Sequence, residues 1–141
     1  MDHLVIILAL NGALVLLLSL IAGMFLYLAI LREHEQSAWH LLHAGGTGRG
    51  VMLLALAALL EYPDLPRGLL AASAWLILIF VWTSMLAMGI RAVMGARGLR
   101  LEGGLANRVV YVSYAVGTVT VFPGFALFIY GLTSRLGAAV A

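Results

Sequence analysis

The residues of this sequence best suited to chemistry lie in the segment 39–52, WHLLHAGGTGRGVM, within an otherwise apolar stretch. His40 and His43 are three residues apart, so a helix would carry both imidazoles on one face. Such a pair could bind one small metal ion together, or one of the two could be the axial ligand of a haem iron. A histidine at a membrane edge can also be an interfacial residue without a ligand. The segment therefore predicts a metal or haem site, with His43 as the main ligand and His40 as the alternative.

Four glycines follow His43 within six residues, namely Gly45, Gly46, Gly48 and Gly50. Each weakens a helix by about 1 kcal/mol relative to alanine, so something must offset that cost. Small residues four apart allow two helices to approach closely, and Gly46 and Gly50 have this spacing. A flat ligand lying against bare backbone would also need glycine. We predict Gly45, Gly46 and Gly50 as cofactor contacts.

Arg49 lies nearly two helical turns beyond His43, where the segment should already be inside the bilayer. A cation there costs at least about 2.5–3.5 kcal/mol on insertion scales. The side chain must therefore extend back to the loop side or meet an anion. A haem propionate, Glu33 or Glu35 could be that anion, and the loop arginines could assist. We predict Arg49 as a further cofactor contact.

The whole composition indicates a membrane protein that positions this segment on a helix. Of the 141 residues, 64% are hydrophobic and 10% are charged, which is too apolar for a soluble domain of this size. About 20 apolar residues suffice to span a bilayer. Four such helices are predicted, over 4–31, 37–61, 68–94 and 107–134. The fold class predicted is all-α, a single four-helix transmembrane bundle over residues 1–141 surrounded by lipid.

Cysteine content and the placement of arginine limit the cofactor and the orientation. Because the chain has no cysteine, thiolate metal sites and covalent haem attachment are excluded, and any haem would be haem b. Six of the eight arginines fall at or near the first and third loops: Arg32, Arg49, Arg91, Arg97, Arg100 and Arg108. The positive-inside rule then predicts cytoplasmic first and third loops, with both termini outside, as in a bacterial inner-membrane protein. Nothing in the charge pattern indicates nucleic-acid binding.

The pattern Trp39-x3-His43-x-Gly45-x4-Gly50-x-Met52 resembles the styrene oxide isomerase family, which are small four-helix membrane proteins that carry haem b. The triplet at 97–99, Arg-Gly-Leu, gives weaker support. The resemblance implies a homotrimer with haem at subunit interfaces, held by His43, and Trp39 among the cofactor contacts. It also implies that ferric iron takes an epoxide oxygen as a Lewis acid, so that the epoxide isomerises to an aldehyde.

The sequence departs from the family's pattern at the positions of its pocket. The family has an asparagine six residues after the haem histidine, where this chain has Arg49. The family's aspartate and tyrosine on the third helix fall at Phe80 and Met88 on an ungapped count. Tyr111 or Tyr114 of the fourth helix could replace the phenol.

Three functions follow from these observations. The first is a haem b protein with an open coordination position for a small ligand, in a redox, gas-binding or haem-handling role. The second is an isomerase of a small hydrophobic epoxide. The third is a membrane accessory subunit without a cofactor.

Overall fold

The chain forms four α-helices in the computed structural model, which describes residues 3–98 and 100–140, with side chains through Gly137. The helices are α1 (His3–Leu31), α2 (Ser37–Leu59), α3 (Arg67–Met94) and α4 (Leu105–Val140). Each is long and apolar enough to cross a membrane, and the described residues contain no strand. The prediction of an all-α fold with four spanning helices is confirmed, while the trimer stays a prediction.

The helix ends follow from local chemistry. Pro66 immediately precedes α3, where its missing N–H has no cost because the first turn of a helix leaves that group unpaired. Gly95 ends α3 in the left-handed region with φ +68°, and its N–H donates to the carbonyl of Arg91. The fourth helix, expected over 107–134, continues to Val140 because no proline follows Pro123 and the last residues are mostly small and apolar.

The four helices pack as two antiparallel hairpins. α1 packs mainly against α2 and α3 mainly against α4, while α3 also contacts α2 and α1. At the α1–α2 crossing, a Cβ on Gly12 would lie 3.0 Å from the carbonyl oxygen of Gly50. Asn11 of α1 accepts a hydrogen bond of 2.7 Å from the indole N–H of Trp82 on α3. Small residues thus bring α1 and α2 together within the first hairpin, and polar side chains such as Asn11 and Trp82 connect the two hairpins.

The core lies where α1, α2 and α3 meet, and it contains the fully buried side chains Leu8, Val15, Leu53, Ile77 and Val81. Phe128 is the buried side chain that α4 adds to this cluster. Lipid tails are as apolar as leucine, so close packing rather than exclusion of water holds such helices together. This explains why glycines line the α1–α2 contact.

Candidate functional site

The imidazole of His43 points from α2 towards α1, where its Nδ1 lies 2.8 Å from the backbone carbonyl oxygen of Ser19. A carbonyl oxygen can only accept a hydrogen bond, so Nδ1 carries a proton in this contact. In a neutral imidazole the lone pair is then on Nε2. Metal-ligating histidines typically have this arrangement, with the second ring nitrogen donating to a carbonyl or carboxylate.

Ser19 fixes the backbone of His43 as well as its ring. The Ser19 Oγ lies 2.6 Å from the backbone carbonyl oxygen of His43 and 2.6 Å from Thr47 Oγ1. Thr47 Oγ1 is also 2.8 Å from the same His43 carbonyl. Ser19 is fully buried, whereas Thr47 is exposed. The ring orientation is therefore set by α1 rather than by α2 alone.

Gly23 of α1 provides the room for the ring. A Cβ placed on Gly23 would lie 2.9 Å from His43 Nδ1 and 3.0 Å from Cε1, closer than real Cβ contacts. His43 and Gly23 line one groove of about 590 Å³ with the apolar side chains of Leu20, Met24 and Leu28, together with Tyr27. We call this cavity the His43 groove. The groove is therefore lined by one imidazole, one phenol and apolar side chains.

The sequence did not reveal the α1 half of this groove. Ser19, Gly23 and Tyr27 recur every four residues, which places them on one face of α1. This four-residue spacing of small and polar residues is the sequence signal that could have predicted a contact between this face of α1 and His43. The hydrophobic residues between them mask it, because α1 is apolar on every side.

Two of the α2 glycines pack against α1. A Cβ on Gly46 would lie 3.0 Å from the Cβ of Ser19, and a Cβ on Gly50 would lie 3.0 Å from the carbonyl oxygen of Gly12. Close approach of the two helices accounts for both glycines without a ligand. Neither residue lines the His43 groove.

The other two α2 glycines, Gly45 and Gly48, have different surroundings. A Cβ on Gly45 would lie 3.0 Å from Met88 Sδ on α3 and 3.0 Å from Arg49 Nη1. A Cβ on Gly48 would have no neighbour within 4 Å. Gly45 is therefore needed for the α2–α3 contact, and only Gly48 faces open space on the outside of the chain.

Arg49 points towards α3. Its Nε donates to Ser84 Oγ at 2.7 Å, and its Nη1 donates to the carbonyl oxygen of Gly45 at 2.9 Å. Its Cζ lies 5.2 Å from the centroid of the Phe80 ring, a cation–π geometry. The hydrogen bonds recorded for the described residues thus satisfy the guanidinium on α2 and α3, rather than at Glu33, Glu35 or the loop side.

Arg49 is the centre of a second polar cluster, formed with Ser84, Phe80 and Gly45, which we call the Arg49 cluster. Met88 borders it through its contact with Gly45. Phe80 and Met88 are the two α3 positions at which the resemblance, counted without gaps, would place the family's aspartate and tyrosine. The fold therefore brings these positions together with Arg49, on a different face of α2 from His43.

Neither His40 nor Trp39 lines the His43 groove, although Trp39 lines a neighbouring cavity of about 220 Å³ that shares Leu28 with it. His40 is exposed, and Trp39 stacks on Phe25 with ring centroids 4.8 Å apart, on the side of α1 that faces α3. Within residues 3–98 and 100–140, no group of three histidine, aspartate or glutamate residues could hold a metal ion. A haem iron can be held by a single protein ligand.

The third loop is held by one asparagine. Asn107 Oδ1 accepts from the backbone N–H of Gly98 at 2.7 Å, and its Nδ2 lies 2.7 Å from the carbonyl oxygens of Arg100 and Glu102. Gly98 has φ +63°, and a Cβ there would overlap the side chain of Val110. This conformation explains the glycine of the triplet at 97–99, although Leu99 lies outside the described residues.

A family model described as styrene oxide isomerase matches residues 6–133. The chain belongs to the styrene oxide isomerase family. The match includes all of α2 and α3 and most of α1 and α4, so it extends well beyond the short pattern around His43. Neither the curated proteins nor the solved structures gave a match to this member of the family.

Proposed function

We propose that this protein is an integral membrane protein that binds haem b in the His43 groove, with His43 Nε2 as the axial ligand. The observation that carries the proposal is the hydrogen bond from His43 Nδ1 to the Ser19 carbonyl, which fixes the ring and leaves Nε2 for a metal. The apolar wall of the groove suits a porphyrin face. Haem bound there would supply an iron with an open position for a small ligand.

The charge needed by haem propionates lies at the end of α1. Leu28 lines both the His43 groove and a neighbouring cavity of about 220 Å³ whose wall includes Arg32, His34 and Glu35. The carboxylate of Glu35 accepts hydrogen bonds from Ser37, which leaves Arg32 as the cation at this cavity. Arg32 is therefore the propionate partner that we propose. Arg49 is less suitable because it points to α3.

The His43 groove is open on one side, and a second subunit would close it. We propose a homotrimer with this groove at the subunit interface. We also propose that the first and third loops are cytoplasmic in a bacterial inner membrane, because six of the eight arginines lie near them.

The test is an absorption spectrum of protein purified from haem-supplied cells. We expect a Soret band in the wild type and in His40→Ala, the matched control on the exposed side of α2. His43→Ala should lose the band, and added imidazole should restore part of it. A colourless wild type, or an unchanged spectrum in His43→Ala, would reject the proposal, and the colourless result would favour an accessory subunit.

A second candidate function is isomerisation of a small hydrophobic epoxide, and two observations favour it: the family membership and the Arg49 cluster. Two N–H groups of Arg49 are engaged by Ser84 and Gly45. The reaction breaks one C–O bond and moves one hydrogen to the neighbouring carbon, so it needs no external oxidant.

Styrene oxide is the first substrate to assay, with phenylacetaldehyde measured by gas chromatography. Product from haem-replete protein, and none from His43→Ala, would support the isomerase. Haem-replete protein without product would reject the isomerase and leave the haem-binding proposal intact. Reduction and carbon monoxide binding would then test the redox and gas-binding roles.

A further inference from the structure

An apolar groove of about 400 Å³ separates α1 from α3 on the side away from His43. Leu18 and Phe25 line it from α1, and Trp82, Gly89 and Val93 line it from α3, with Trp39 of α2 at one end. We call it the α1–α3 groove. The large side chains that line it are mostly exposed on this chain, so the groove opens outward.

The length and direction of the α1–α3 groove match one leaflet of a bilayer. Trp82 and Val93 are eleven residues apart on one face of α3, which is about 16 Å along a helix. The hydrocarbon core of a bilayer is about 30 Å thick, so the groove covers about half of it. The groove runs along the helix axes, and lipid chains run in the same direction.

The end of the groove at Trp39 is cationic. Trp39 also lines a polar cavity of about 330 Å³ with Arg91 and Arg97, at the surface formed by the first and third loops. Over the described residues, neither guanidinium is recorded in a side-chain hydrogen bond. Glu35 lines the same cavity, but its carboxylate accepts from the backbone N–H and the hydroxyl of Ser37. Those hydrogen bonds, with a smaller contribution from the positive charge of Arg97, lower the pKa of Glu35. The cavity therefore holds two guanidinium charges against one carboxylate charge and stays cationic.

We propose that the α1–α3 groove holds an acyl chain of an anionic phospholipid, whose phosphate is bound by Arg91 and Arg97. An apolar slot one leaflet deep with a cationic mouth fits a molecule with a long tail and an anionic head. Basic pockets between transmembrane helices at this level are typical sites for anionic headgroups. The indole of Trp39 lies at the depth where tryptophan prefers the interface. Lipid binding here does not depend on haem, although Phe25 and Trp39 line both this groove and the cavity of about 220 Å³ beside Arg32.

The experiment uses the full-length protein in vesicles of phosphatidylcholine, with and without added phosphatidylglycerol. We expect phosphatidylglycerol to raise the Tm of the wild type by several degrees, because a ligand that binds only the folded state stabilises it. The Tm shift should disappear in the double variant Arg91→Gln/Arg97→Gln. It should persist in Arg67→Gln/Arg135→Gln, whose two arginines lie at the opposite membrane surface.

A second variant tests the apolar part. A Cβ on Gly89 would have no neighbour within 4 Å, so Gly89→Leu directs its side chain into the groove. It should abolish the phosphatidylglycerol effect, whereas Gly48→Leu, also in open space, should keep it. If Gly89→Leu does not fold, the arginine variants alone decide the question.

Three results would overturn the lipid proposal. An equal Tm shift in Arg91→Gln/Arg97→Gln would show that the headgroup does not bind there. Loss of haem from Gly89→Leu would assign the groove to the porphyrin, and a changed oligomeric state would assign it to a second copy of the chain. Haem content is measured on the same samples, so failure of the lipid site and failure of the haem site are distinguished.

Discussion

Gly23 of α1 lies against the imidazole of His43 of α2, so closely that a Cβ on Gly23 would be 2.9 Å from Nδ1. The same ring nitrogen is hydrogen-bonded to the carbonyl of Ser19, one turn earlier on α1. The orientation of the histidine therefore depends on the absence of a side chain on another helix. This relationship gives the most direct test of the site.

Enlarging Gly23 should displace the ring and reduce haem binding. We expect Gly23→Leu to lower the haem content per chain at least several-fold, because the leucine would occupy the place of the imidazole. Gly23→Ala should have a smaller effect, since it requires a shift of tenths of an ångström. The pyridine haemochrome assay measures both, and full haem content in Gly23→Leu would contradict the assignment.

Removing the hydroxyl of Ser19 should separate stability from haem binding. Ser19→Ala removes the hydrogen bonds to the His43 carbonyl and to Thr47 but keeps the backbone carbonyl that holds the ring. We expect the free energy of unfolding to fall by about 0.5–1.5 kcal/mol in an SDS titration. The Soret band should stay at the wild-type position, and its loss would show that the hydroxyl itself is essential.

Replacing Arg49 and replacing Ser84 should change the free energy of unfolding in different ways. Ser84→Ala leaves Arg49 Nε without its acceptor, so we expect the free energy of unfolding to fall by about 1–3 kcal/mol. Arg49→Met removes a costly cation, while Ser84 can still donate to the Phe80 carbonyl at 2.7 Å. Arg49→Met should therefore be neutral or stabilising in an SDS titration. A large destabilisation would mean that the guanidinium is a structural bridge.

Two glycines on the same helix should give opposite results when replaced by alanine. A Cβ on Gly50 would lie 2.6 Å from Leu16 Cγ and 3.0 Å from the backbone oxygen of Gly12, so α1 and α2 must separate. We expect Gly50→Ala to lower the free energy of unfolding by about 1–3 kcal/mol. Gly48→Ala, in open space, should stabilise the helix by up to about 1 kcal/mol. Circular dichroism during an SDS titration measures both, and similar values would contradict the packing role of Gly50.

The third loop should loosen when Asn107 is changed. Asn107→Ala loses the acceptor for Gly98 and the donors to Arg100 and Glu102, whereas Asn107→Asp keeps only the acceptor. Hydrogen exchange at the backbone N–H of Gly98 should therefore speed up most in the alanine variant and less in the aspartate variant. Equal exchange in wild type and Asn107→Ala would contradict this role.

Much of the fold could be predicted because the bilayer imposes simple rules on sequence. Long apolar runs separated by short polar loops gave four helices close to their observed positions. The glycines between 45 and 50 were harder to interpret, since close helix packing and a flat ligand both require a missing Cβ. Their close neighbours in space include Met88 and Ser19, which are far away in sequence, so the packing role could not be read from the sequence.

The sequence by itself determined the all-helical membrane fold, the absence of thiolate chemistry and the family pattern around His43. These depend on local composition and on spacing along one helix. The tertiary structure alone decided that Ser19 and Gly23 hold the imidazole and that Arg49 points to Ser84. Since α1 and α3 are apolar on nearly every face, their sequences do not reveal which face meets α2. That choice depends on the fit of side chains between helices, which only the packed structure shows.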